Sequence, residues 1–128
     1  VYAVPAVKGV AFGAGFDIAR MTGSEANDAF VMRDGKVRTL TNNSGGINGG
    51  VSNGMPVTVS VAIRPTPSIS LPQRTVNLET GEEREIVVRG RHDATVVPRA
   101  VAAVESAVAL AVLDEVLVRE EEIVKTER

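Results

Sequence analysis

Four consecutive residues, Gly90-Arg91-His92-Asp93, carry the side chains best suited to anion binding and proton transfer in this chain. The planar Arg91 guanidinium matches phosphate or carboxylate groups, the His92 ring can donate or accept a hydrogen bond, and Asp93 can accept a proton or orient a donor. A long apolar helix is predicted directly downstream, and helix N-termini favour anions. A structural alternative stays open, in which Asp93 satisfies amides at the helix start and pairs with Arg91.

Two loops upstream could bind a phosphate-bearing cofactor. Residues 41–54 include five Gly and four Asn, so main-chain N–H groups could wrap a phosphate or a ring edge; a long surface loop is the alternative. This loop lacks the Gly-Lys-Ser/Thr ending of a P-loop. In Arg64-Pro65-Thr66-Pro67-Ser68, two hydroxyls could bind phosphate oxygens and Arg64 could neutralise them, although a proline turn that ends a strand is also consistent.

Antiparallel strands and hairpins, followed by one long helix, would position these loops. The alternation in 57–63 predicts a strand with one buried face, and Asp34-Gly35 predicts a hairpin across 30–40. Loop is predicted for 23–29, and no regular element for 41–54. The other predicted elements are a strand at 6–12, one or two helical turns at 16–21, and a hairpin from 76–78 and 84–89.

The last predicted element is a helix from residue 96 to about residue 119, with Thr95 as N-cap and Pro98 at its third position. Its apolar residues cover most of its circumference, so a missing part of the protein or another subunit should bury it. Residues 120–128 are predicted to form a charged, frayed tail. The chain opens on Val1, inside an apolar segment, and we interpret it as the C-terminal piece of a larger enzyme.

Composition excludes several other classes of protein. The 128 residues are 44% hydrophobic and 3% aromatic, with a net charge of −2 and no Trp, which argues against disorder and against nucleic-acid binding. There is no Cys and one His, so neither disulfides nor a multi-His metal site is expected. No signal peptide or membrane span is evident, and the cytoplasm is the expected location.

Seven motifs, read in chain order from Pro5 to about Leu117, resemble chorismate synthase. Each is weak alone, but their common order makes the resemblance specific. They are Ala6-Val7-Lys8-Gly9-Val10 with Phe12-Gly13; Gly23-Ser24-Glu25 with Asn27-Asp28; Thr41-Asn42 with Gly45-Gly46-Ile47 and Gly49-Gly50; Ser52-Asn53-Gly54; Pro65-Thr66-Pro67-Ser68-Ile69; Gly90-Arg91-His92-Asp93; and Val97-Pro98-Arg99-Ala100-Val101.

The resemblance implies an α+β fold, the C-terminal part of a β-α-β sandwich within a homotetramer. It implies a phosphate lyase of the shikimate pathway of aromatic amino acid biosynthesis. Such an enzyme forms chorismate from 5-enolpyruvylshikimate 3-phosphate by 1,4-elimination of phosphate, and it requires reduced FMN. Whether flavin reduction, and with it NADP, also belongs to this protein stays open. The partners expected are the small-molecule substrate and further copies of the chain, without nucleic acid or membrane.

The resemblance also assigns roles to individual residues. Asp93 matches the aspartate that assists proton transfer beside the flavin, and Arg91 matches the arginine that faces FMN and the substrate anions. The positions that match FMN contacts are Pro5, Ala6, Gly49, Arg64, Pro65, Thr66, Pro67 and Ser68. The family's catalytic histidines and several substrate arginines lie upstream of these residues, so the 128-residue chain alone is expected to be inactive.

The chain departs from the usual family residues at five positions, none of them Arg91 or Asp93. They are Ala14 for Asp, Asn43 for His, Asn48 for Leu, Arg64 for Lys and Ala94 for Pro. A second hypothesis is a non-catalytic binding or oligomerisation module driven by the apolar helix. A generic nucleotide binder is disfavoured because both the P-loop and GxGxxG are absent.

Overall fold

The computed structural model describes residues 1–126, without the side chains of 121–122 and 124–126. The described chain forms two compact units: residues 2–63, and the residues from Arg64 onward together with Val1. Small antiparallel sheets occupy both units, and the second ends in a long helix. The predicted α+β class, antiparallel strands and hairpins followed by a C-terminal helix, is therefore confirmed.

The first unit is built on one strand pair. β1 (Val7–Phe12) pairs antiparallel with β6 (Val59–Ile63), and the register is irregular between Val7 and Gly9. The alternating half-buried and exposed residues of β6 agree with the predicted strand with one covered face. The helical turns predicted after β1 are a 3₁₀ helix, Gly15–Arg20.

The predicted hairpin at Asp34-Gly35 is confirmed. β2 (Phe30–Arg33) pairs with β3 (Lys36–Thr39). Asp34 and Gly35 have φ of 53° and 72°, the left-handed conformation that a two-residue hairpin turn of matching twist requires.

Two predictions of irregular structure were wrong in part. Within the predicted loop 23–29, α1 (Gly23–Ala26) is a helical turn with a capping box between Thr22 and Glu25, which satisfies free amides at its start. Within 41–54, β4 (Ile47–Asn48) pairs with β5 (Val51–Ser52). All five glycines of that loop, Gly45, Gly46, Gly49, Gly50 and Gly54, have positive φ.

The second unit contains the other predicted hairpin. Its strands are β7 (Gln73–Val76) and β8 (Glu83–Ile86), which overlap the predicted ranges but begin and end earlier. The Asn77 Oδ1 accepts a hydrogen bond from the Glu79 N–H at 2.9 Å, an Asx turn that ends β7 earlier than the apolar pattern indicated.

The final helix, α2 (Val97–Thr126), begins one residue later than predicted, so Pro98 is its second residue rather than its third. Thr95 still contributes to the start, because its Oγ1 accepts from the Val97 N–H at 3.2 Å. The helix passes its predicted end near residue 119 and continues to Thr126. Fraying of the tail stays a prediction, and 127–128 lie outside the described residues.

The described part of the chain has a very small hydrophobic core. Val7 is its one buried hydrophobic residue, whereas Val101 and Leu110 of α2 are 59% and 67% exposed. Burial of α2 by further protein therefore stays a prediction. Of the helices in residues 1–126, none combines the length and the apolar character that crossing a membrane requires.

Candidate functional site

Arg91 and Asp93 both lie exposed on the segment that leads into α2. The Asp93 Oδ2 lies 2.5 Å from an Arg99 terminal nitrogen, in the first turn of α2. The structural alternative named Arg91 as this partner and was wrong on that point. Arg99 therefore holds the Asp93 carboxylate near the helix start, although both side chains remain more than half exposed, at 71% and 51%.

His92 has a different environment from its two neighbours. Its Nε2 lies 2.9 Å from the Val88 carbonyl oxygen, and the residue is half-buried. When Nε2 carries the proton it donates to this carbonyl, which fixes the ring against the backbone. His92 thereby anchors the segment, while Arg91 and Asp93 on either side remain open to a ligand.

Residues 64–68 follow β6 and are exposed except for Thr66. The Thr66 Oγ1 is buried and has no hydrogen-bond partner among the described residues. A buried hydroxyl without a partner costs about 1–3 kcal/mol, so this atom is suited to a polar group from outside these residues. The neighbouring Pro67 carbonyl is already used, because it accepts from the Gln73 Nε2 at 3.3 Å.

The other residues predicted to contact FMN belong to the unit of residues 2–63 and are exposed. They are Pro5, Ala6 and Gly49. Ala6 has φ of 68°, a left-handed conformation that is uncommon for a residue with a Cβ atom. Gly49 has φ of 56°, and a Cβ atom added there would meet nothing within 4 Å. Its backbone is thus open to close approach by a ligand.

The predicted site residues are divided between the two units. Pro5, Ala6 and Gly49 lie in the unit 2–63, whereas Arg64–Ser68, Arg91 and Asp93 lie in the other. In that second unit, the side chain of the predicted site residue Asp93 forms an ion pair with Arg99. The site residues themselves stay a prediction.

Sequence reasoning gave no role to Asp28, which organises the glycine-rich loop. The Asp28 side chain is buried, at 6% exposure. Its Oδ1 accepts from the Thr41 Oγ1 at 2.6 Å and from the Asn43 N–H at 2.8 Å, and its Oδ2 accepts from the Ser44 N–H at 2.8 Å. The hairpin register could have revealed this cluster, because pairing Phe30 with Thr39 sets Asp28 opposite Thr41 two positions further out.

The charge of Asp28 is maintained by these donors. Burial of the carboxylate acts to raise its pKa, but hydrogen bonds from the Thr41 hydroxyl and the Ser44 and Asn43 amides outweigh burial. Together they lower the pKa of Asp28 to about 2. The carboxylate is therefore ionised at neutral pH and fixes the start of the loop.

The same loop packs closely against the end of β1. The Ala14 N–H, two residues after β1, donates to the Asn43 carbonyl at 2.8 Å. A Cβ atom on Gly13 would overlap the Asn43 carbonyl, and one on Gly45 would overlap the Gly13 backbone. These two glycines therefore permit a contact between backbones that no larger residue allows.

Two of the departures from the family pattern are built into this loop. The Asn43 Nδ2 donates to the Glu25 carbonyl at 3.1 Å. The Asn48 Nδ2 donates to the Ser44 Oγ at 3.0 Å, and its Oδ1 accepts from the Asn53 Nδ2 at 2.6 Å. Both asparagines thus contribute hydrogen bonds that stabilise the loop.

Each unit thus contains features suited to an anionic ligand. The unit from Arg64 onward has an exposed Arg91 and Asp93 before a helix and an unpartnered Thr66 hydroxyl after a strand, and the unit 2–63 has an ordered glycine-rich loop. Residues 1–117 match the family model described as chorismate synthase. The chain therefore belongs to the chorismate synthase family, and the resemblance is confirmed.

Relatives named chorismate synthase are similar over most of this chain. The one from Thermococcus gammatolerans is 55% identical over 119 residues, which cover 93% of this chain and 33% of that protein. The one from Archaeoglobus fulgidus is 58% identical over 114 residues, or 89% of this chain and 32% of that protein. A crystal structure of chorismate synthase, 44% identical, covers 49% of this chain and 19% of its own, with a TM-score of 0.47. The chain thus spans about a third of the length of the relatives it matches.

Proposed function

We propose that this chain forms the C-terminal portion of a chorismate synthase. That enzyme converts 5-enolpyruvylshikimate 3-phosphate to chorismate by 1,4-elimination of phosphate, in the synthesis of aromatic amino acids. The observation that carries the proposal is membership of the family over residues 1–117. It is supported by identity above 50% with relatives of that name.

Asp93 and Arg91 are the chemical residues of this proposal. The Asp93 carboxylate takes or relays the proton that the elimination releases, a role that requires a positioned, accessible group. Arg99 acts as its positioning residue through their ion pair. The exposed Arg91 guanidinium binds the phosphate or carboxylate of the substrate with its planar set of N–H donors.

Reduced FMN is the proposed cofactor, and several residues fit it. When bound, it would supply electron density as phosphate leaves, without net redox change. The unpartnered Thr66 Oγ1 offers a hydrogen bond, the exposed Arg64 offers positive charge, and the open backbone of Gly49 permits close approach. We assign further contacts to Pro5, Ala6, Pro67 and Ser68, and flavin anion contact to Arg91. NADP would act through flavin reduction only.

In this proposal the active form is the complete enzyme, a homotetramer in the cytoplasm. The 128-residue chain alone is inactive. The small core supports this, since Val7 is the one buried hydrophobic residue in the described part of the chain. Marginal cores rarely stabilise a domain of this size.

Chorismate formation is the test. The complete polypeptide is supplied with reduced FMN and 5-enolpyruvylshikimate 3-phosphate under anaerobic conditions, and the 128-residue chain is assayed in parallel. We expect chorismate from the first sample and none from the second. A folded complete polypeptide that forms no chorismate contradicts the enzyme assignment, and turnover by the short chain contradicts its inactivity.

The exposed apolar side chains of α2 favour one alternative, a binding or oligomerisation module without catalysis. Val104→Asp places a charge on the half-buried side of this helix. If the alternative holds, this variant loses the oligomer, while Asp93→Ala changes no measurable property. The proposed enzyme instead loses turnover with Asp93→Ala and keeps its oligomeric state.

A further inference from the structure

A second candidate site lies within the unit of residues 2–63. It is a cavity that is widely open to solvent, of about 520 Å³, between the β2–β3 hairpin and the turn after β5, and it is lined by Arg33, Arg38, Thr39, Gly54, Met55 and Pro56. Cavities of about 300–1,000 Å³ are typical of small-molecule sites. None of the six lining residues is among those assigned above to FMN or to the substrate.

The hairpin supplies an excess of positive charge at this cavity. The register pairs Arg33 with Lys36 and Val31 with Arg38, so all three basic residues share one face. Arg33 and Arg38 are diagonal neighbours across the two strands, and the Cα atoms of such pairs are about 7–8 Å apart. None of the three basic side chains forms an ion pair with a side chain that the structure describes. Like charges placed this close repel each other, and a bound anion would relieve the repulsion.

The lining of the cavity indicates what kind of anion fits. An Arg38 terminal nitrogen donates to the Gly54 carbonyl, which fixes the guanidinium while leaving further N–H donors for a ligand. The Thr39 hydroxyl is already used, because it donates to the Thr41 carbonyl at 2.6 Å. Met55 and Pro56 add apolar surface beside the two arginines. The cavity thus pairs donors for an oxyanion with a wall for a hydrocarbon or ring.

We propose that this cavity binds a small organic anion. Its phosphate or carboxylate head lies on Arg33 and Arg38, and its apolar body lies against Met55 and Pro56. Guanidinium groups bind both kinds of head through paired N–H donors. The proposal is independent of the proposed chorismate synthase activity, because it requires no flavin, no substrate and no residue of the segments 64–68 and 90–93.

The test is a titration of the complete polypeptide, ¹⁵N-labelled at glycine and methionine, with phenyl phosphate, benzoate and inorganic phosphate, followed through the Gly54 and Met55 amide signals. We expect saturable shifts with phenyl phosphate or benzoate, and weaker binding of inorganic phosphate. Arg33→Gln should weaken the binding of the tighter probe about tenfold, as expected for loss of a hydrogen bond to a charged group. Arg33 is exposed, so this variant should keep the fold.

Arg74→Gln is the matched control, an arginine on β7 with a 90% exposed side chain. Its effect on affinity should stay below about twofold, because Arg74 does not line the cavity and an exposed charge is screened by salt. Equal weakening by Arg33→Gln and Arg74→Gln would overturn the site in favour of diffuse charge attraction. Absence of saturable shifts in the folded chain would overturn it directly. Equal affinities for inorganic phosphate and both organic probes would overturn the role of Met55 and Pro56.

Discussion

Asp28 and Thr41 face each other directly beyond the open end of the β2–β3 hairpin, and the Thr41 hydroxyl donates to the Asp28 Oδ1 at 2.6 Å. The same carboxylate accepts hydrogen bonds from the Asn43 and Ser44 N–H groups. The Asp28 side chain therefore links the hairpin to the start of the glycine-rich loop by hydrogen bonds. This loop includes Gly49, a proposed FMN contact.

Replacement of Asp28 by Asn should destabilise the fold. The amide keeps the shape but directs an NH₂ group at N–H donors, so we expect the free energy of unfolding to fall by about 1–3 kcal/mol. Urea denaturation followed by circular dichroism measures it. Asp17→Asn is the control: its carboxylate is 74% exposed and pairs with Arg20 at 3.4 Å, so a change within about 0.5 kcal/mol is expected. Similar losses in both variants would contradict the role of Asp28.

The same carboxylate predicts a pH dependence. The pKa of Asp28 lies at about 2 in the folded chain against an ordinary value of 3.8, because its hydrogen bonds outweigh the opposing effect of burial. Since the folded pKa is the lower one, the contribution to stability is complete above about pH 4 and is lost as the pH falls towards 2. It amounts to about 2 kcal/mol.

Two measurements check this dependence. The free energy of unfolding is measured between pH 2 and 5 for the protein and for Asp28→Asn. On acidification the protein should lose a stabilising contribution that the variant lacks at every pH. An NMR titration of the Asp28 carboxyl should give the depressed pKa directly. A midpoint near the ordinary value would contradict the proposed network.

The close approach of Gly13 to the loop predicts a large steric effect. Gly13 has φ of 55°, and its added Cβ atom would overlap the Asn43 backbone. Gly81 has φ of 72° but open space around an added Cβ atom. Gly81→Ala should therefore cost about 1 kcal/mol for the conformation alone, whereas Gly13→Ala should cost at least about 3 kcal/mol. Equal losses on denaturation would show that the clash is relieved by movement of the loop.

Local patterns in the sequence predicted the elements whose causes are local. The Asp34-Gly35 turn and the alternation of 57–63 define their strands through nearest neighbours, and both are present. The helical turn at Gly23–Ala26 was missed because the polar composition of 23–29 favoured a loop, and the capping box of Thr22 and Glu25 was overlooked. The end of α2 was placed too early because charged residues were interpreted as a helix stop, although Glu, Lys and Arg are good helix formers.

Contacts distant in sequence were the part that could not be predicted in this way. No local pattern pairs β1 with β6, since their partners are about fifty residues apart. The partner of Asp93 was assigned to the nearest arginine, whereas the start of α2 brings Arg99 to it instead. Asp28 is intermediate, because the hairpin register alone would have placed it opposite Thr41.

Substitutions of two threonines, Thr39 and Thr66, should have opposite effects: one on stability and the other on FMN binding. The Thr39 Oγ1 donates to the Thr41 carbonyl at 2.6 Å in a residue that is 2% exposed, so Thr39→Val should cost about 1–2 kcal/mol. The Thr66 Oγ1 is buried without a partner in the described residues, so Thr66→Val should leave stability unchanged or slightly raised. In the complete enzyme, Thr66→Val should weaken FMN binding about tenfold. Loss of stability with unchanged FMN affinity would contradict the assignment of Thr66.

The ion pair between Asp93 and Arg99 makes the sharpest test of the proposed chemistry. In the complete enzyme, Asp93→Asn removes the proton acceptor, and we expect kcat for chorismate formation to fall about 100- to 10,000-fold. Arg99→Gln removes only the positioning partner of an exposed pair, which contributes about 0–1 kcal/mol, so kcat should fall about fivefold or less. Asp114→Asn, on an exposed position of α2, should leave kcat unchanged. If Asp93→Asn matched Arg99→Gln in its small effect, Asp93 would only anchor the start of the helix, and the proton acceptor would have to be sought elsewhere.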